Sequence, residues 1–219
     1  WNTNITYTVG NYGFSLPTDN YRDSSISTPR IMISVHYYDP WDFCGEESSN
    51  VTQWGDTATN SSKTSSWGDE SALKSQFSSL YNKFVAAGYP VVIGEYGSID
   101  KSAYDSTSAA QRAEFAKKVC TYAKKYGMVP VLWDNGYTGT YGFGVIDRST
   151  CKVTQQKIID AIASVYPKSS SSNSSNSSNS SASSLEGTYY IKSSFSGLYL
   201  DVANGSASNN ANVQQYTYS

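Results

Sequence analysis

The sequence predicts an α/β protein with parallel strands, and three observations carry that reading. Three short apolar segments alternate with three segments of helical period along residues 30–166. The apolar segments place hydrophobic residues at consecutive positions, as strands covered on both faces do. Polar side chains collect at their C-terminal ends. Alternation implies helical crossovers between parallel strands, which leaves a doubly wound sheet and a (β/α)8 TIM barrel. The polar strand ends favour the barrel, whose sites assemble there. No Gly-rich phosphate loop follows any strand, which counts against a nucleotide site.

Along the chain, the opening residues have no helical period, and Gly10, Gly13, Pro17 and Pro29 predict an extended loop. The first strand is "RIMISVHYYDP" (30–40). In "SALKSQFSSLYNKFVAAG" (71–88) Leu73, Phe77, Leu80 and Phe84 recur at helical spacing, and Gly88 with Pro90 marks the stop. The second strand, "YPVVIGEYG" (89–97), delivers Glu95 where an apolar strand ends. In "STSAAQRAEFAKKVCTYAKKYG" (106–127) Ser108 with Gln111 predicts a capping box, Phe115, Val119 and Tyr122 share a face, and Gly127 caps the end. The third strand is "MVPVLWDNG" (128–136), and "TQQKIIDAIASVY" (154–166) is a helix with Ile158, Ile159 and Ile162 on one side. Residues 168–184, almost entirely Ser and Asn, cannot bury anything and predict a flexible linker between a domain at 1–167 and a small unit at 185–219.

Composition narrows the partners. Sixteen Lys+Arg against 18 Asp+Glu, with no basic cluster beyond Lys-Lys pairs, argue against nucleic acid, and no stretch has the length and hydropathy of a membrane span. With 19 tyrosines and a charged fraction of only 16%, the surface is polar without being ionic, which suits hydroxyl-rich ligands such as sugars. The three cysteines (Cys44, Cys120, Cys151) lack the spacing of a zinc site, so no metal or cofactor is expected. The chain begins without Met or a signal peptide and is expected to be a processed product or a fragment.

The strand ends hold the chemistry. Glu95 offers a carboxylate, Tyr38 and His36 on the preceding strand offer hydrogen bonds, and Trp133 on the following strand offers a flat apolar face for a sugar ring. Glycoside hydrolysis wants this set: one carboxylate attacks the anomeric carbon while a second carboxylic acid protonates the leaving oxygen. Trp41, Trp54 and Trp67, in the long connection after the first strand, either extend a cleft or pack on the domain's own surface.

The segments "VHYYDPWDFCG", "VVIGEYGSID" and "VLWDNGYTGTYGFGVIDRST" resemble the last three barrel strands of glycoside hydrolase family 5, the cellulases, especially its endoglucanase and xyloglucanase branch. The resemblance covers about residues 14–167. It implies the C-terminal part of a TIM barrel, with Glu95 as the nucleophile of a retaining endo-β-1,4-glucanase, Tyr38 as its hydrogen-bond partner and His36 as an orienting contact. It further implies Trp133 as the sugar platform, Asn135 and Asp134 as substrate contacts, a β-glucan polysaccharide (cellulose, xyloglucan or mixed-linkage glucan) as partner, and secretion. The family's general acid follows an Asn, and no Asn-Glu pair occurs in this chain, so the chain is expected to be part of a longer enzyme. The tail "GTYYIKSSFSGLYLDV…NNANVQQYTYS" resembles the first repeat of a ricin-B-like β-trefoil of carbohydrate-binding module family 13, a truncated all-β unit in which Asp201 is the implied sugar ligand. Two alternatives stand beside the glucanase: a sugar-binding or structural remnant without catalysis, and a xyloglucanase, mannanase or xylanase of the same family.

Overall fold

The computed structural model describes residues 2–11, 13, 15–20, 25, 29–167, 190–193, 196–208 and 211–217. The predicted linker, 168–184, lies outside them. The chain divides into two units, Trp1–Ser170 and Ser171–Ser219.

The first unit opens with one helical turn, α1 (Ile5–Thr8), where an extended loop was expected. Its Ile5 and the following Val9 enter the core, and the Lys83 ammonium donates to the Val9 carbonyl. Burial of two aliphatic side chains, at roughly 1.5–3 kcal/mol each, holds a turn too short to persist alone. Strand β1 (Ile33–Tyr37) follows, then the short helix α2 (Trp41–Cys44). Helix α3 (Glu70–Leu80) begins at Asp69, whose side chain accepts from the Ala72 amide at 2.9 Å, and continues as a π-helical turn, Tyr81–Val85. Strand β2 (Val91–Tyr96), helix α4 (Ser108–Lys125) and strand β3 (Val129–Leu132) come next. A two-residue antiparallel pair, β4 (Ile146–Asp147) with β5 (Lys152–Val153), which the periodicity did not predict, precedes helix α5 (Gln156–Val165).

The sheet order is β1-β2-β3, all parallel, as the alternation predicts. One face packs on the helices: Ile33, Val35 and Tyr37 of β1 and Val91, Ile93 and Tyr96 of β2 are buried with Leu73, Phe77, Leu80, Phe84, Phe115 and Val119. Tyr37 meets Phe77 edge-on at 5.2 Å and stacks on Phe115 at 6.0 Å. On the other face Met32, Val129 and Val131 remain 56%, 58% and 46% exposed. The expectation of strands buried on both sides is therefore met on the helix side only, because among the described residues no further strand closes over the open face.

The capping box expected at Ser108 and Gln111 does not form. Thr107 precedes α4 without a side-chain cap, and Gln111 instead accepts from the Trp54 amide at 2.9 Å and donates to the Thr57 carbonyl. The segment after α2 folds back over α4 and takes this side chain for itself.

In the second unit β6 (Tyr199–Val202) pairs antiparallel with β7 (Val213–Tyr216), and Lys192 bridges to Tyr199. Tyr190, Ile191, Leu200, Val213 and Tyr216 are all more than half exposed, so this hairpin has little core of its own.

Candidate active site

Strand pairing explains how a carboxylate at the end of an apolar strand avoids the core. Val35 pairs with Ile93, but His36 pairs with Glu95, which leaves Gly94 as an extra residue. On the other side Ile93 pairs with Pro130 and Tyr96 with Leu132, so the same surplus recurs. A bulge of this kind re-aims the side chains that follow it. Without it, strict alternation would send Glu95 to the helix-packed face with Ile93 and send Tyr96 to the open face. With it, Tyr96 is 1% exposed in the core, its hydroxyl 3.1 Å from the Cys120 thiol, while Glu95 joins His36 on the open side. Only Gly fits here without adjustment, because a Cβ on Gly94 would lie 2.9 Å from Ser34 Oγ.

Two groups converge on one oxygen of Glu95. The Tyr38 hydroxyl donates to Oε2 at 3.0 Å, and His36 Nδ1 lies 3.3 Å from the same atom. The Glu95 side chain keeps 28% of its surface and His36 keeps 42%, so the pair faces solvent. Burial, then the hydrogen bond to Glu95, push the Tyr38 phenol well above its ordinary range, so it remains a donor. Oε1 accepts from none of the described residues.

The walls of the site come from the connections after each strand. Trp41 is 51% exposed and meets Tyr38 edge-on at 6.2 Å, and its indole lies over Gly45, where a Cβ would come within 2.2 Å of the ring. Trp133 is 41% exposed, anchored by its amide to the Tyr96 carbonyl at 2.9 Å. Phe143 packs edge-on against Tyr38 at 5.9 Å.

Asp134 and Asn135, expected as substrate contacts, act first on their own loop. Asp134 accepts from the Gly136, Val145 and Ile146 amides and pairs with Arg148. Burial alone would raise its pKa, but these amides and the guanidinium hold the carboxyl below its ordinary value. Asn135 Oδ1 accepts from the Tyr137 and Phe143 amides at 3.1 and 3.2 Å, which fixes the backbone carrying the ring behind Tyr38. Asp-Asn-Gly after a strand is an Asx-turn signature, a signal for this role that the sequence contains. Trp54 does not reach the cleft: it is 3% exposed, edge-on to Phe115, with its indole N–H on the Gly68 carbonyl. Trp67 is 50% exposed and lines a cavity with Asp69 and Lys74. In the second unit Asp201 accepts from Gln214 across the hairpin at 2.8 Å.

Sequence reasoning missed the buried Arg112, which pairs with Asp100 at 3.4 Å and donates to the Ser98 and Gly142 carbonyls. It ties the connection after β2 to the one after β3, so Glu95 and Trp133 stand on a joined scaffold. Among the described residues no group of three His, Cys, Asp or Glu side chains is arranged to hold a metal ion, and no helix is long and apolar enough to cross a membrane. The three cysteines are free, Cys44 and Cys120 buried and Cys151 exposed.

A sequence model of the family described as Cellulase (glycosyl hydrolase family 5) matches residues 1–139. Endoglucanase A of Paenibacillus barcinonensis is 63% identical over 164 residues, covering 74% of this chain and 41% of that protein. The solved structure of a family 5 xyloglucanase from Paenibacillus pabuli, in complex with ligand, is similar at a TM-score of 0.70 and 63% identity, over 75% of this chain and 46% of that one. A GH5-4 broad specificity endoglucanase from Bacteroides salanitronis is similar at a TM-score of 0.64 and 36% identity, over 76% and 42%. The chain spans less than half the length of each of these relatives.

Proposed function

This chain belongs to glycosyl hydrolase family 5, a family of (β/α)8 barrels, and from that premise we propose that Glu95 is the nucleophile of a secreted, retaining endo-β-1,4-glucanase. The single observation that carries the reading is the asymmetry at Glu95: Tyr38 and His36 both hold Oε2, and Oε1 accepts from none of the described residues on a side chain that keeps 28% of its surface. In the first step Oε1 bonds to the anomeric carbon, the carbon–oxygen bond to the leaving sugar breaks, and a carboxylic acid gives its proton to the departing oxygen. In the second step a water oxygen replaces Oε1 at that carbon and its proton returns to the acid. Tyr38 and His36 compensate the carboxylate as it is released, and Trp133 gives the sugar an apolar face to rest on.

The acid must stand about 5–5.5 Å from Glu95 for retention. We assign it to the part of the relatives' barrel that this chain does not cover. The partner is a β-glucan, and xyloglucan is the first to test, because the relative from P. pabuli is described as a xyloglucanase. Residues 185–219 are read as the start of a carbohydrate-binding module, joined through 168–184, with Asp201 as its sugar contact. The antiparallel hairpin with exposed apolar side chains supports that reading.

The test, made in a longer chain that includes the assigned acid, is the anomer first released from an aryl β-cellobioside whose leaving group departs without a proton. Proton NMR during turnover is expected to show the β-hemiacetal first, and Glu95→Gln is expected to reduce release to the uncatalysed rate. Release of the α-anomer first, or turnover unaltered in Glu95→Gln, would refute the assignment.

A further inference from the structure

On the same rim as Glu95, the connections after β1, β2 and β3 enclose a second hollow of about 330 Å³, lined by Glu47, Asn50, Lys63, Tyr104 and Tyr141 among others. Tyr104 and Tyr141 stack with ring centroids 5.7 Å apart and planes 16° from parallel, and Tyr104 is 62% exposed. Tyr141 has φ +65°, a left-handed conformation that a bulky side chain adopts only when its surroundings impose it.

The surroundings do impose it. The Tyr141 amide donates to the Asp100 carbonyl at 2.7 Å, and the Asp100 amide donates to the Gly142 carbonyl at 3.0 Å. A Cβ on Gly142 would overlap the Tyr137 carbonyl oxygen, so the turn has no slack. The floor is equally fixed, since the buried Lys101 ammonium donates to the carbonyls of Asp42, Ser49 and Val51. A strained tyrosine is thus held on a rigid turn so that its ring backs an exposed partner, and among the described residues neither ring belongs to the hydrophobic core.

We infer that the Tyr104–Tyr141 pair is a platform for a sugar ring of a bound β-glucan chain, at a distance from the reacting bond, with Glu47 and Asn50 placed for its hydroxyls. An aromatic face flanked by polar side chains suits a pyranose, whose ring face is apolar and whose rim carries hydroxyls. This rests on the reading that the Glu95 cleft takes a β-glucan, and it adds that the polymer is gripped a second time along the rim.

The test is calorimetric binding of cellobiose and cellohexaose to the full chain and to Tyr104→Ala, Tyr141→Gly and Trp133→Ala. Tyr141→Gly removes the ring and also the backbone strain, so its unfolding midpoint is expected at or above that of the parent, and weaker binding cannot be assigned to misfolding. The platform predicts that both tyrosine variants weaken cellohexaose by about five- to tenfold and leave cellobiose unchanged, while Trp133→Ala weakens both. Tyrosine variants that bind cellohexaose as the parent does would overturn the platform and leave the reading of the cleft standing. Sensitivity to the tyrosines with none to Trp133 would uphold the platform and overturn Trp133 as the sugar-binding face of the cleft. A parent chain that binds neither sugar would overturn both.

Discussion

Gly94 is the surplus residue of a bulge, and the insertion turns Glu95 away from the helix-packed side of β2 and brings it to Tyr38 and His36. The bare position is required by Ser34, whose Oγ would meet a new Cβ at 2.9 Å. Gly94→Ala is therefore expected to destabilise the domain by about 1 kcal/mol, and Ser34→Ala is expected to relieve most of that, with a coupling of at least 0.5 kcal/mol in a double-mutant cycle read by urea unfolding. Strictly additive effects would show that the two positions do not press on each other. Much at this scale is legible in the sequence: Gly-Glu ending an apolar run, and His and Tyr two residues apart on the neighbouring strand. The bulge is not, because register is a property of the pair of strands, and neither strand encodes it alone. The same limit explains Asp134 and Asn135, whose side-chain oxygens are taken by amides up to 12 residues away.

The helices show what periodicity carries and what it omits. Leu73, Phe77, Leu80 and Phe84, then Phe115 and Val119, are buried as their spacing predicts. The connection between α2 and α3 has no period to read, yet it is as organised as the helices it covers. Asp105, 7% exposed, anchors it by accepting from Thr52 Oγ1 at 2.7 Å, Gln53 Nε2 at 3.1 Å and Lys63 Nζ at 3.0 Å. Burial alone would raise its pKa, but the hydrogen bonds from Thr107, Thr52 and Lys63 outweigh that and hold the carboxyl far below the ordinary range. A depressed folded-state pKa contributes stability that is present above the unfolded value, near 3.9, and is lost as pH falls through it toward the folded value. Unfolding free energy is thus expected to drop as pH is lowered from about 5, and Asp105→Asn is expected to cost about 2 kcal/mol at pH 7 while flattening that drop. An unaltered pH slope in the variant would remove Asp105 from the account.

For the barrel unit as a whole, the order strand, helix, strand, helix, strand, helix is as the sequence predicts, and it leaves β1 and β3 each paired on one side among the described residues. The open face carries Met32, Val129 and Val131 beside Glu95, an apolar strip of the kind that other strands or other molecules cover. The chain made by itself is expected to self-associate at micromolar concentration in sedimentation velocity, and Val131→Lys is expected to reduce that. A monomer at all concentrations would show that the strip does not drive association. Sequence patterning could not reveal the one-sided burial, since a strand awaiting a neighbour reads the same as one that has it. The central claim is that Glu95 is a nucleophile set by the bulge and held by Tyr38, and the direct test is intact mass and peptide mapping after incubation with an activated 2-deoxy-2-fluoro-β-cellobioside. One adduct per chain on the peptide containing Glu95, slowed in Tyr38→Phe, is the predicted result; an adduct on another residue, or none in a chain that binds cellobiose, would contradict it.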